Sequence, residues 1–244
     1  MSEPLYNDPD WARFYDIANV WAADFDFCAA LAKDASCVLD IGCGTGELAA
    51  ALAEEREVWG VDPARAMLDV ARARPGGDRV RWVEGDARDL DLGRRFDLIV
   101  LTGHAFQVFL TDADERSALS TIARHLAPEG RFILDTRNGP MEAWRHWMPE
   151  KTRQTFDHPT QGTITRWTET SFDHATGIAA YTTHHAVPSG AHGSATSRIR
   201  FIDKPHLEVQ LSAAGLAAQA WFSDWHGGPW HAKAPEIIPL GGHA

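Results

Sequence analysis

Three acidic residues, a histidine and a glycine-rich turn are the groups in this chain whose types and spacing could do chemistry. Asp40 closes an apolar run and is followed by Gly42, Cys43, Gly44, Thr45 and Gly46. Glycine tolerates positive φ and carries no β-carbon, so a ligand can approach bare backbone there. Asp62 ends the next apolar run, where a carboxylate can accept hydrogen bonds from the hydroxyls of a ribose. Asp86 ends a third run, within plausible reach of an adenine amino group, and a fourth run opens onto Thr102, Gly103 and His104. These groups describe a nucleotide-type pocket. The spacing Gly-x-Gly-x-Gly places Glu47 where the dinucleotide fingerprint has its third glycine, which disfavours a pyrophosphate ligand. A nicotinamide-dependent oxidoreductase is therefore the weaker alternative.

The elements that must position these groups alternate in strand and helix periods. Strands are expected at 38–41, 57–61, 80–84, 96–101 and 131–135, with helices at 47–54, 64–73 and 112–127. Thr111 is a possible cap for the last of these, and Pro128 follows it. Two helices, 11–17 and 21–32, precede the first strand. Between 153 and 202 the helical period gives way to threonine-rich alternation, which reads as a hairpin joined at 173–177 and a third strand near 194–202. A helix near 205–214 and strands near 216–222 and 236–240 then follow. The fold class is α/β: a doubly wound, mainly parallel seven-stranded sheet with an antiparallel β insertion after the fifth strand. The chain divides into an N-terminal helical lid (1–36), a cofactor-binding core (37–138), a β-rich cap (139–204) and a return to the core sheet (205–244), all one domain.

The successive strand-end motifs resemble those of the class I S-adenosylmethionine-dependent methyltransferases, closely over 37–138 and more loosely to the C-terminus. The layout, with its β excursion after the fifth strand, is similar to glycine N-methyltransferase and the amino-sugar N,N-dimethyltransferases. The resemblance implies S-adenosylmethionine as cofactor, S-adenosylhomocysteine as product, and methyl transfer by in-line displacement to a nitrogen or oxygen of a small acceptor. It also implies cofactor contacts from Trp11, Tyr15, Asp40, Gly42, Cys43, Gly44, Gly46, Asp62, Met67, Asp86, Ala87, Thr102 and Gly103. Within these, Asp40 would order the amino end, Asp62 hold the ribose, Asp86 the adenine, and Met67 pack on the adenine face. Trp11 and Tyr15 either touch the cofactor from the lid or bury a helix face. A S-adenosylmethionine-binding protein with sensing or non-methyl chemistry is a further alternative.

His104 is the expected catalytic group, because histidine titrates near neutral pH and stands just past the fourth strand; its other reading is substrate positioning. Arg137 and Asn138 either bind a polar group of the acceptor or cap a turn. Trp144 and Trp225 are expected at the acceptor, since aromatic faces suit a dispersed sulfonium charge. Trp147 follows the same strand as Trp144, whereas Trp59 and Trp82 lie within strands and read as core.

Composition narrows the partners. With 23 Lys and Arg against 34 Asp and Glu the net charge is −11, and the basic residues form no continuous stripe. Nucleic acid is a poor partner for such a surface. No apolar run approaches a membrane span and no signal-peptide pattern opens the chain, so the reading is cytoplasmic, as a monomer or homodimer. Cys28, Cys37 and Cys43 show no disulfide or metal spacing and read as reduced packing residues. The twelve histidines lack helix-spaced ligand pairs, and no metal is expected.

Overall fold

The computed structural model describes residues 21–158, 162–187, 190 and 192–244. The expected helix at 11–17, with Trp11 and Tyr15, lies outside the described residues.

Helix α1 (Ala23–Leu31) leads into β1 (Cys37–Ile41), α2 (Glu47–Leu52), β2 (Glu57–Asp62), α3 (Arg65–Ala73), β3 (Arg81–Glu84) and β4 (Phe96–Leu101). Helix α4 (Asp112–His125), β5 (Leu126–Leu134) and the two-residue β6 (Thr136–Arg137) follow. After the cap the chain returns through α6 (Lys204–Ala213), β11 (Leu216–Phe222) and β12 (Glu236–His243). The main sheet runs β11-β12-β5-β4-β1-β2-β3, with β6 on β12. β5, β4, β1, β2 and β3 are parallel, and β12 is antiparallel to both neighbours.

The strands are apolar on both faces because helices cover both. In β4, Ile99 and Leu101 join one buried cluster with Leu39, Phe106 and Phe132, while Leu98 and Val100 join another with Val38, Leu48 and Val58. That two-sided burial is what a doubly wound sheet demands of its central strands. The chain order reverses between β1 and β4, so a crevice opens at their carboxyl ends, the usual ligand position in such folds.

Helix α4 starts as expected, with the Thr111 hydroxyl accepting from the Asp114 amide at 3.1 Å. It ends two residues earlier than the sequence pattern suggests. Ala127 precedes Pro128, whose ring disfavours helical backbone at the residue before it, and Leu126 instead pairs with Phe96.

The cap is a separate antiparallel sheet of order β10-β9-β8-β7, formed by β7 (Gln154–His158), β8 (Gly162–Asp173), β9 (Ile178–Ala186) and β10 (His192–Arg200), preceded by the short helix α5 (Pro149–Thr152). The β8–β9 hairpin turns where expected: Asp173 accepts from the Ala175 amide and the Thr176 hydroxyl at 2.9 and 2.8 Å, and Gly177 takes φ +71°. Strand β7 was not expected from the sequence. Its five residues carry one apolar side chain, Phe156, too few to set a period of two. An aromatic knot anchors this sheet, with Trp144 stacked on Phe172 at 3.7 Å and Trp147 against Tyr181 and Phe201.

Candidate active site

The carboxyl ends of the parallel strands form one wall of a cavity of about 1400 Å³, and the inner face of the cap sheet forms the opposite wall. This exceeds the few hundred to about 1000 Å³ usual for one small ligand, leaving room for a cofactor and an acceptor together.

The glycine turn is shaped by its own backbone. Gly42, Gly44 and Gly46 have φ of +69°, +53° and +73°. Gly42 and Cys43 donate to the Val61 carbonyl at 2.7 and 3.1 Å, tying the turn to the end of β2. Gly46 does not line the cavity. A β-carbon there would meet Trp82 at 2.3 Å, and one on Gly60 would meet the same ring at 2.4 Å. Trp82, read from sequence as core, therefore braces the elbow from behind, its indole donating to the Gly77 carbonyl at 2.8 Å.

Asp62 accepts from the Gly44 amide at 2.9 Å through one oxygen and from the Ala64 amide at 2.8 Å through the other. Each carboxylate oxygen has two lone-pair sites, so one on each is left for a ribose hydroxyl. Burial pushes the Asp62 carboxyl above its ordinary value, against the pull of those two amides. Asp40 is more extreme: burial first and the nearby Asp62 second push it up to about 8. A ligand carrying positive charge is what such a pair lacks. Asp86 is held below the usual carboxylate range chiefly by the Arg88 guanidinium, which also reaches Asp114 at 3.1 Å and so joins the third strand end to the first turn of α4. Met67 and Ala87 are buried and line the same side. Glu47, in the first turn of α2, also lines the cavity and sets a negative charge where a diphosphate would need a positive helix end.

His104 itself has φ +61°, an uncommon backbone for a side-chain-bearing residue. Its amide donates to Asp135 Oδ1 at 3.0 Å, while its Nε2 lies 2.9 Å from Glu236 Oε2 and 3.5 Å from Asp135 Oδ2. Burial draws the imidazole pKa down, but the Asp135 charge and the Glu236 hydrogen bond outweigh it and hold it above the ordinary histidine value. Burial raises Asp135 in turn.

Of the residues singled out in the sequence, Asp40, Gly42, Cys43, Gly44, Asp62, Met67, Asp86, Ala87, Thr102, Gly103, His104 and Arg137 are brought to this cavity. Three are not. Asn138 turns inward and its amide donates to the Ala234 carbonyl at 2.8 Å and the Ala232 carbonyl at 3.3 Å, so it ties the β6 segment to the β11–β12 connection. Trp144 is buried in the aromatic knot, and its neighbour Trp147 takes the place at the cavity wall. Trp225 packs edge-on against Phe27 at 5.8 Å, serving the α1 side of the core. Sequence reasoning missed Glu236 and Asp135, which meet His104 from distant strands, and the cap residues Phe156, Arg166, Tyr181 and His185. The period-two parity of β8 and β9 was the signal available for the last three.

Among the described residues, His104, Asp135 and Glu236 also present donor atoms within 4.8 Å of one another, as do Asp112, Glu115 and His206. A search for helix-spaced histidines passes over both, because each is assembled from separate elements. Arg200 neutralises the second, at 2.7 Å from Asp112 and 3.1 Å from Glu115.

This sheet order and this rim define a Rossmann-like methyltransferase fold. Residues 38–130 match the family model described as a methyltransferase domain. The chain superposes on the CcbJ methyltransferase from Streptomyces caelestis with a TM-score of 0.81 over 100% of both chains, at 23% identity. It is 39% identical over 141 residues to a cypemycin N-terminal methyltransferase from Streptomyces sp., covering 55% of this chain and 58% of that one. It is 33% identical over 153 residues to the dTDP-4-amino-2,3,4,6-tetradeoxy-D-glucose N,N-dimethyltransferase of Saccharopolyspora spinosa, covering 59% of this chain and 57% of that one. These matches span less than two thirds of either curated relative. Residues 38–130 are thus similar to a methyltransferase domain, and the fold of the chain is similar to that of S-adenosylmethionine-dependent methyltransferases. No helix among the described residues is long and apolar enough to cross a membrane.

Proposed function

We propose that the protein transfers a methyl group from S-adenosylmethionine to a nitrogen of a small cytoplasmic acceptor. The observation that carries this reading is the junction at His104, where the nucleoside-type rim and the capped chamber meet. The curated relatives reported above are both named for methylation of nitrogen, which favours nitrogen over oxygen.

The rim fits the cofactor on its own chemistry. Asp62 has acceptor sites left for a ribose, Gly42 and Gly44 expose backbone, and the raised pKa of Asp40 marks a buried acid that a cationic ligand would ionise. When bound there, S-adenosylmethionine supplies an electrophilic methyl on a positively charged sulfur. The protein's share is alignment of the acceptor lone pair and exclusion of water, the latter by the cap sheet. His104 takes the acceptor's proton at its imidazole, and Glu236 and Asp135 stabilise the resulting imidazolium. Asp62, Asp86 and Met67 would hold the nucleoside, and Asp40 the amino end.

Calorimetry with S-adenosylhomocysteine and NAD, followed by mass spectrometry of products from a panel of small amines, tests the reading. Binding of S-adenosylhomocysteine and a mass gain of one methyl group on an amine are expected. NAD binding in its place, or turnover of S-adenosylmethionine with no methylated product, overturns it.

A further inference from the structure

The carboxylates lining the cavity are segregated by origin, whereas its arginines come from both sides, Arg88 and Arg137 from the rim. The carboxylates Asp24, Asp40, Glu47, Asp62, Asp86 and Asp114 all come from the first half of the chain, around the rim. Among the described residues, the cap strands contribute Arg166, Arg198 and His185 to the lining and no carboxylate. In a chain of net charge −11 this is a basic wall set over an acidic floor.

Arg166 is central to that wall. On β8 it stands directly across from His185 on β9 and from Gln154 on β7, so the three share a face. Thr168, Tyr181 and Thr183 lie on that face and line the cavity with it. Arg198 lines the cavity from the edge strand, where its side chain is exposed and its register partner is Ala180. Arg166 is half-buried, and no carboxylate among the described residues is within ion-pair distance of it. A guanidinium drawn out of water without a partner is costly, and its planar fork matches a carboxylate or phosphate. His185 beside it is pushed down to about 4 by its burial, with Arg166 and His184 adding to the effect, so at neutral pH it adds polar character without charge. Arg137 faces the chamber from the β6 segment, donating to Gln107 at 2.8 Å and lying 5.0 Å over the Trp147 ring.

We propose that the methyl acceptor carries an anionic group, a carboxylate or a phosphate, and that Arg166 receives it, fixing the acceptor across the chamber from His104. This rests on the methyltransferase reading and adds the chemical class of its acceptor. Calorimetry on protein saturated with S-adenosylhomocysteine, titrated with inorganic pyrophosphate and separately with malonate, tests it. At least one anion is expected to bind the wild type, to lose tenfold or more in affinity in Arg166→Gln, and to recover in part in Arg166→Lys. S-adenosylhomocysteine affinity is expected to be the same in all three, which shows that the variants are folded. Preference for pyrophosphate assigns a phosphate acceptor, and preference for malonate a carboxylate. Failure of both anions to bind the wild type, or equal binding by Arg166→Gln, overturns the proposal. Failure of S-adenosylhomocysteine itself to bind the wild type overturns the underlying reading, and this one with it.

Discussion

At the rim, ligand-facing groups come from backbone and strand ends that the fold cannot place elsewhere: Gly42 and Gly44 at positive φ, and Asp62 bonded to the turn it follows. Across the cavity, they come from side chains on one face of an antiparallel sheet, Arg166, Thr168 and Tyr181, each replaceable without changing the register. The first arrangement suits a ligand that never varies. The second suits one that differs from relative to relative, because strands tolerate exchange of alternate residues as long as the other face stays packed. His104 and Glu236 stand at the seam and belong to neither plan, being held by each other.

The contrast can be broken most forcefully at the cap's foundation. Trp144→Ala removes a buried ring from the aromatic knot and is expected to cost about 3 to 5 kcal/mol of stability in a denaturant titration. The same variant should bind S-adenosylhomocysteine as well as wild type while folded, since the rim does not lean on the knot. Parallel loss of cofactor affinity would show the two regions to be one unit.

A sharper, somewhat smaller effect is expected at the rim. Asp62→Ala should weaken S-adenosylhomocysteine binding by about 2 to 3 kcal/mol, the scale of hydrogen bonds to a charged group. Because Asp62 also secures Gly44 and Ala64, part of the loss comes from a looser turn. An unchanged dissociation constant would move the ribose away from β2.

The seam gives the smallest effect and the most diagnostic one. His104 is held above its ordinary pKa, so it is protonated on the acid side and becomes a base only as pH rises through that raised value. Glu236→Gln removes one of the groups that raise it. The rising limb of kcat against pH should then shift to lower pH, and the plateau fall by about tenfold, or 1.4 kcal/mol, as the imidazolium loses a partner. A profile that does not move would reduce His104 to positioning. The stability linkage has the same sign: a raised histidine pKa adds stability below about 6.5 that is lost as pH climbs through the folded value.

Most of the parallel sheet was legible because both-face burial writes itself as short apolar runs, and each run ended in a glycine or an acid that marked the rim. The rim residues were readable for the same reason. The acceptor side was not. Asn138 and Trp144 sit in the expected segment after β5, yet one turns inward to carbonyls and the other into an aromatic stack, choices made by tertiary packing rather than by local pattern. Glu236 lies 132 residues from His104 in sequence and reaches it only because β12 inserts antiparallel beside β5. Trp82, read as core, is partly buried against one of the clusters, and its ring sets the space left to two glycines.

The proton affinity of Asp40 has a thermal consequence. Burial and the neighbouring Asp62 push this carboxyl up to about 8, which favours its protonated form near neutral pH. A positively charged ligand settling beside it favours the ionised form, so each loading event expels part of a proton into the medium. The heat of loading will therefore differ between buffers of different ionisation enthalpy, and replacing Asp40 with asparagine will erase that difference.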